Sequence, residues 1–203
     1  ISAGVGVGVG ITALIARYLG AHDEKGITRV VHNGIFLGIL NSILFALFGI
    51  FLAKFYFEFQ KASGIIETYG IQYLSICSIF AFSIIMEITF ERMLIASGKT
   101  IYTMITQSTG AIINIIFDPI LIFGLFGFPK MGIVGAAVAT IFGQTVAMFM
   151  ALYFNVAKNH EVRISIKKFA VDFKTIVNIY EIGFPSIVMQ SAASFMIFQL
   201  NNL

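Results

Sequence analysis

The chain alternates between long apolar blocks and short polar interruptions, not between single apolar and polar residues. About 20 consecutive apolar residues let a helix cross the hydrocarbon of a bilayer. Five such blocks stand at residues 1–19, 31–53, 70–96, 101–126 and 131–157, here segments A to E. A sixth, F, opens near Gly183 and runs to Leu203. The pattern predicts an all-α fold, a polytopic transmembrane helix bundle. Both ends of the sequence lie inside apolar blocks, so a fragment cut at both ends is expected. Segment A lacks the basic n-region and small-residue cleavage site of a signal peptide.

Most connections are short: residues 20–26 between A and B, 97–100 between C and D, 127–130 between D and E. The long one, 158–182, contains a stretch at 166–177 that reads as an amphipathic helix lying along the membrane face. Gly183 and Pro185 then open segment F, with proline in the first helical turn.

Composition sharpens this picture. Of 203 residues 58% are hydrophobic and only 11% charged, with a mean hydropathy of +0.93. Soluble domains carry about a quarter charged residues. The net charge of +3 could suggest a nucleic-acid partner, but its distribution assigns it to topology. Ten of the 13 Lys and Arg fall in or beside loops A–B, C–D and E–F. Those loops are expected to be cytoplasmic, and nucleic acid is not expected as a partner. The single Cys77 excludes an internal disulfide or a multi-cysteine metal site and reads as a buried small hydrophobe. His22, His32 and His160 read as surface residues. No phosphate loop, nucleophile elbow or cluster at metal-ligand spacing stands out, so no enzyme activity and no cofactor are expected.

Against this background one stretch carries chemistry. Asn114 and Asp118, four residues apart in segment D, share a helix face, among Ile112, Ile113, Ile115, Ile116 and Phe117. A carboxylate at bilayer depth costs about 2.5–3.5 kcal/mol on insertion scales and marks function by default. With Thr103, Gln107 and Gly110 they form one polar stripe. Pro119 cannot donate to the Ile115 carbonyl, which frees an oxygen beside Asp118. A carboxylate, an amide oxygen and a spare carbonyl suit a Na⁺ ion at Asp118 and Asn114, or a proton on Asp118. The competing reading is a buried acid held by a neighbouring Asn or Thr.

Other polar positions are more ambiguous. Segment C carries Tyr73, Ser83, Glu87 and Glu91 close to one face; Glu91 suits an ion pair with Arg92, and Glu87 suits either function or a structural pair. In segment E, Gly132, Ala136, Ala139 and Gly143 form a small-residue face for close helix packing. Thr140, beside it with Gln144, fits an ion ligand or a back-bonded core hydroxyl. Gly4, Gly6, Gly8 and Gly10 repeat every two residues, which is not a helical stripe and implies close packing or local flexibility.

Three runs carry a family resemblance: Gly98-Lys99-Thr100, Asn114-Ile115-Ile116-Phe117-Asp118-Pro119, and Gly132-Ile133-Val134-Gly135-Ala136-Ala137-Val138-Ala139-Thr140. In this order, and with Ala16-Arg17-Tyr18-Leu19-Gly20-Ala21 and Gly183-Phe184-Pro185, the chain resembles the multidrug and toxic compound extrusion (MATE) transporters. The resemblance implies the N-terminal lobe of a twelve-helix, two-lobe transporter. Segments A to E (1–157) would be helices two to six, 158–182 the inter-lobe linker, and 183–203 the start of helix seven. It implies a monomeric, cation-coupled antiporter of the cell membrane, embedded in lipid and exporting small organic, often cationic, compounds by alternating access.

On that resemblance Asn114, Asp118 and Thr140 are the cation- or proton-coupling residues, and Tyr73 matches a cavity-lining position. Gln107, Glu87 and Gln144 are further candidates to line the substrate cavity. The family's acidic residue of helix one would precede Ile1. Gln190, Ser191 and Ser194 stand where some subfamilies carry an acid in helix seven, which favours coupling through the first lobe. Two other functions compete: a lipid-linked sugar flippase of the same superfamily, expected to show cationic residues inside its cavity, and a non-transporting membrane bundle.

Overall fold

A computed structural model of the chain describes residues 2–59, 64–162, 164 and 169–200. Among the described residues eight α-helices follow in order: α1 (Ser2–Gly20), α2 (Glu24–Phe51), α3 (Ala53–Phe59), α4 (Ile65–Ile79), α5 (Ala81–Ala96), α6 (Thr100–Phe123), α7 (Ile133–Lys158) and α8 (Phe173–Leu200). A single 3-10 turn, Leu125–Gly127, lies between α6 and α7. No strand occurs among the described residues. Helices α2, α6 and α7 are long and apolar enough to cross a membrane, and α4 with α5 qualifies as one span bent by 50°.

The turns obey local rules. His22 takes a left-handed φ of 54° to end α1, and Asp23 caps α2 by accepting the Gly26 amide at 2.9 Å. At the end of α5 the amides of Gly98 and Lys99 reach back to the carbonyls of Ile95 and Leu94, both at 2.9 Å. Gly98 supplies the left-handed φ of 74° that this Schellman closure needs.

Two compact units divide the chain, and the division cuts across helices. The first comprises Ile1–Gly38, Ile88–Thr100 and Leu152–Leu203. Its core holds Ile11, Ile15, Val30, Val31, Met93, Leu94 and Ile179, all essentially sealed. Here α1 lies against α8 through glycines: a side chain at Gly10 would collide with the Ile179 backbone, and one at Gly183 with the Gly6 carbonyl. Gly8 instead makes room for the Arg92 side chain. The period of two in segment A is therefore two contacts, with Gly6 and Gly10 meeting α8 and Gly8 meeting α5. Asn155 donates to the Phe90 carbonyl at 2.8 Å and Asn159 to that of Met93 at 3.4 Å, tying α7 to the end of α5.

Unit 2 comprises Ile39–Glu87 and Ile101–Ala151. Its buried positions include the small or polar Ala137, Ala139, Ala147, Thr103 and Thr106, with Ile85, Met86 and Met148 among the larger apolar ones. Other large apolar side chains face outward, among them Ile43, Leu44, Phe51, Ile115 and Phe149. In water so much exposed apolar surface would drive aggregation; in lipid it is the solvent-compatible face.

The structure corrects four expectations. Segment C is broken at Phe80 instead of running straight; no proline or glycine marks the break, and Ser78 just before it fits against Gly49 of α2. Of the amphipathic helix expected at 166–177, residues 166–168 lie outside the described set and 169–172 are not helical. Helix α8 starts at Phe173 because Asp172 caps it, accepting the Lys174 amide at 3.3 Å and the Thr175 hydroxyl. Pro185 consequently sits inside α8, not in a first turn. His32 is buried at 3% exposure, its ring 5.2 Å from that of Phe169, not on the surface. Beside it the Asp172 amide donates to the Asn33 side-chain oxygen at 2.9 Å, fastening the start of α8 to α2.

Candidate functional site

The site lies in the second unit, where α6 and α7 pack antiparallel. A Cβ on Gly143 would stand 2.7 Å from the Gly110 carbonyl oxygen, and one on Gly135 2.6 Å from that of Leu121. Glycines thus let the two backbones touch on either side of Asn114, close enough for short side chains to meet across the gap.

Thr140 of α7 bridges that gap. Its hydroxyl lies 3.0 Å from the Asn114 amide and 2.9 Å from the Ala136 carbonyl oxygen. The other end of the Asn114 amide lies 2.8 Å from Asp118 Oδ2. Asp118 Oδ1 is buried and accepts no hydrogen bond, an expensive condition for a carboxylate in an apolar segment.

The same heavy-atom positions serve two hydrogen-bond arrangements, chosen by which way the amide faces. With Asp118 ionised, Asn114 Nδ2 donates to Oδ2 at 2.8 Å, and Asn114 Oδ1 accepts from the Thr140 hydroxyl at 3.0 Å and its amide at 3.3 Å. With Asp118 protonated, its hydroxyl donates to Asn114 Oδ1. Asn114 Nδ2 then donates to Thr140 Oγ1, which donates to the Ala136 carbonyl. The protonation state of Asp118 thereby sets the direction of the hydrogen bonds as far as the backbone of the facing helix. In both arrangements Oδ1 lacks a partner among the described residues.

Tyr73 of α4 adjoins the cluster, its phenol interacting with the Thr140 hydroxyl and the Cys77 thiol. Asn114, Asp118, Thr140 and Tyr73 are therefore brought together. Gln144 is half-buried on α7 one turn past Thr140, Gln107 is exposed on α6, and Glu87 is half-buried on α5; the contacts just described do not include these three. Glu91 is buried in the first unit, at 6% exposure. The participation of Cys77 was missed; its spacing of four from Tyr73 is the signal that could have found it.

Membrane-length helices packed around a carboxylate with one bare oxygen define a polytopic membrane protein with a polar site in its interior. A family model described as MatE matches residues 1–120. "Probable multidrug resistance protein NorM" of Thermotoga maritima is 28% identical over 184 residues, covering 91% of this chain and 39% of its own length. "Multidrug export protein MepA" of Staphylococcus saprophyticus is 30% identical over 185 residues, covering 90% and 40%. The solved inward-facing structure of a multidrug resistance MATE family transporter superposes with a TM-score of 0.91 at 27% identity, over 98% of this chain and 45% of that one. The chain belongs to the MatE family, and it spans less than half the length of the relatives it matches.

Proposed function

We propose that this chain forms part of a cation-coupled antiporter of the cell membrane that exports small organic, often cationic, compounds. The observation that carries the reading is Asp118 Oδ1, buried, unpartnered and next to an amide that can face either way. The relatives named for multidrug resistance and multidrug export support drugs as the substrate class.

In the proposed cycle Asp118 takes up Na⁺ or a proton. A proton reverses the Asn114 amide and switches Thr140 from donating to Asn114 to donating to Ala136. A Na⁺ ion draws on the same oxygens, Asp118 Oδ1, Asn114 Oδ1 and Thr140 Oγ1, all hard donors. Either event changes the hydrogen bonds that lock α6 to α7, and Pro119, lacking a donor toward Ile115, leaves α6 able to yield there. That change in the bonds between α6 and α7 shifts the balance between conformations, and the shift is the step that releases substrate on the far side.

The test is dye efflux by the full-length protein in vesicles under an imposed Na⁺ gradient and then a proton gradient. One gradient should drive efflux in the wild type. Asp118→Asn should insert normally yet lose more than tenfold of gradient-driven efflux; unchanged efflux overturns the reading.

A further inference from the structure

Two ties fasten the broken span α4–α5 to α7, one on each side of the break. On the α4 side the Tyr73 phenol meets the Thr140 hydroxyl. On the α5 side the buried Ser83 hydroxyl lies 2.9 Å from that of Thr145. Both threonines can bond back to their own helix, Thr140 to the Ala136 carbonyl at 2.9 Å and Thr145 to that of Ile141 at 2.7 Å. Phe80, the one residue between α4 and α5, has φ −93° and ψ 17°, and the two helices meet there at 50°. Its side chain is exposed. Hinges are built from such element-terminal residues, which absorb a change in φ and ψ.

The two ties differ in one respect. A hydroxyl has one hydrogen to give. That of Thr145 goes to Ile141, so Ser83 is the donor to Thr145, and among the described residues no other hydrogen bond engages either side chain. This tie is the same whatever the state of Asp118. The Thr140 hydrogen goes to Asn114 when Asp118 is ionised and to Ala136 when it is protonated. The hydroxyl that Tyr73 meets therefore turns with the coupling state. One tie is constant and the other changes, and between Tyr73 and Ser83 the chain is helical except at Phe80.

We propose that Ser83 is a positioning residue for coupling: with Thr145 it fixes α5 to α7, so that the change at Thr140 becomes a change in the bend at Phe80 and a swing of α4. This rests on the reading of Asp118 as the coupling residue, and it names the helix that moves and the point about which it turns. At 1.5 Å per residue Tyr69 lies about 16 Å along α4 from Phe80, so a change of about 10° in the bend moves it by roughly 3 Å.

The test measures distances between paired spin labels on the full-length protein in nanodiscs, in a background cleared of native cysteines (Cys77→Ser included) that retains dye efflux. Labels at Tyr69→Cys and Phe149→Cys report α4 against α7, and labels at Phe82→Cys and Phe149→Cys report α5 against α7; all three positions are exposed. Between sodium-free alkaline buffer and either acid or saturating Na⁺, the first distance should shift by roughly 3 Å and the second should stay fixed. Ser83→Ala strands no donor, since Thr145 keeps its bond to Ile141. It should make the second distance depend on the ion as well and lower gradient-driven efflux about twofold to tenfold, the worth of one hydrogen bond. Thr145→Ser keeps the hydroxyl and should match the wild type in both readouts. Distances that shift together or not at all in a transporting wild type, or a Ser83→Ala protein that matches the wild type, overturn the hinge while the exporter reading stands. A wild type that expels dye under neither gradient overturns the exporter reading.

Discussion

Replacing Gly143 by alanine tests whether backbone contact between α6 and α7 sets the geometry of the Asp118 cluster. The added methyl would stand 2.7 Å from the Gly110 carbonyl oxygen. A carbon and an oxygen settle at about 3.3 Å or more, so the helices must part by roughly 0.6 Å, and the neighbour that must yield is backbone. If that shift reaches Thr140, one turn away, its 3.0 Å contact with Asn114 opens to about 3.6 Å, which is no longer a hydrogen bond. Overpacking of this kind costs about 1–3 kcal/mol, and the lost bond about 0.5–1.5 kcal/mol more. At about 2–4 °C per kcal/mol for a chain of this size, and about half that for one twice as long, the thermal midpoint of the full-length protein in detergent should fall by about 1.5 °C or more. Gradient-driven efflux in vesicles should fall with it. Gly20→Ala is the control: it ends α1 with nothing within 4 Å of the added carbon and should leave both readouts unchanged. A Gly143→Ala protein with the wild-type midpoint and efflux would refute the proposition that glycine contact positions Thr140.

Two further predictions concern the first unit. Gly10→Val should drive α8 from α1, because the new side chain meets the Ile179 backbone; the expected result is poor yield of folded protein by size exclusion, while Gly20→Val yields normally. The Asp172 carboxyl is held below the usual carboxylate range, chiefly by the Thr175 hydroxyl and then by the Lys174 and Thr175 amides and the nearby Arg29 charge, against a smaller opposing effect of burial. A depressed value means that the cap stabilises α8 above the unfolded value near pH 4, and that this contribution is lost as pH falls through the lower folded value. Amide exchange at Lys174–Ile176, corrected for intrinsic pH dependence, should therefore quicken in acid in the wild type. It should be faster at all pH values in Asp172→Ala.

The sequence and the structure agree where one rule dominates. Long apolar blocks place the helices, because a bilayer demands about 20 such residues whatever the local propensity. Asn114 and Asp118 are legible as a pair, because helical period alone puts residues four apart on one face, and the small residues of segment E mark the side that meets α6. What escapes is set by contacts distant in sequence. The break at Phe80 is marked by no proline or glycine, so no local signal records it. The glycines of α1 defy a single stripe because they serve two neighbours. The start of α8 was legible in Asp172-Phe173-Lys174-Thr175, an N-cap pattern obscured by reading the basic stretch before it as a membrane-surface helix. His32 is buried because Phe169, more than a hundred residues away, lies over it.

The contact between α1 and α8 has a mechanical consequence. Helices that interlock by large side chains must change rotamers to move past one another. Around Gly10 and Gly183 backbone meets backbone, while the Ile187 side chain fills the notch at Gly6. Such a seam brings the two helices close, and the seated Ile187 side chain fixes their register. Near Phe173 the helix is fastened through Asp172 to Asn33, whereas its far half, beyond Pro185, carries exposed Val188, Met189, Phe195 and Met196. Helix α8 is thus fastened at one end to the buried Asn33, held against α1 with no room for larger side chains at the seam, and apolar and exposed along its outer arm.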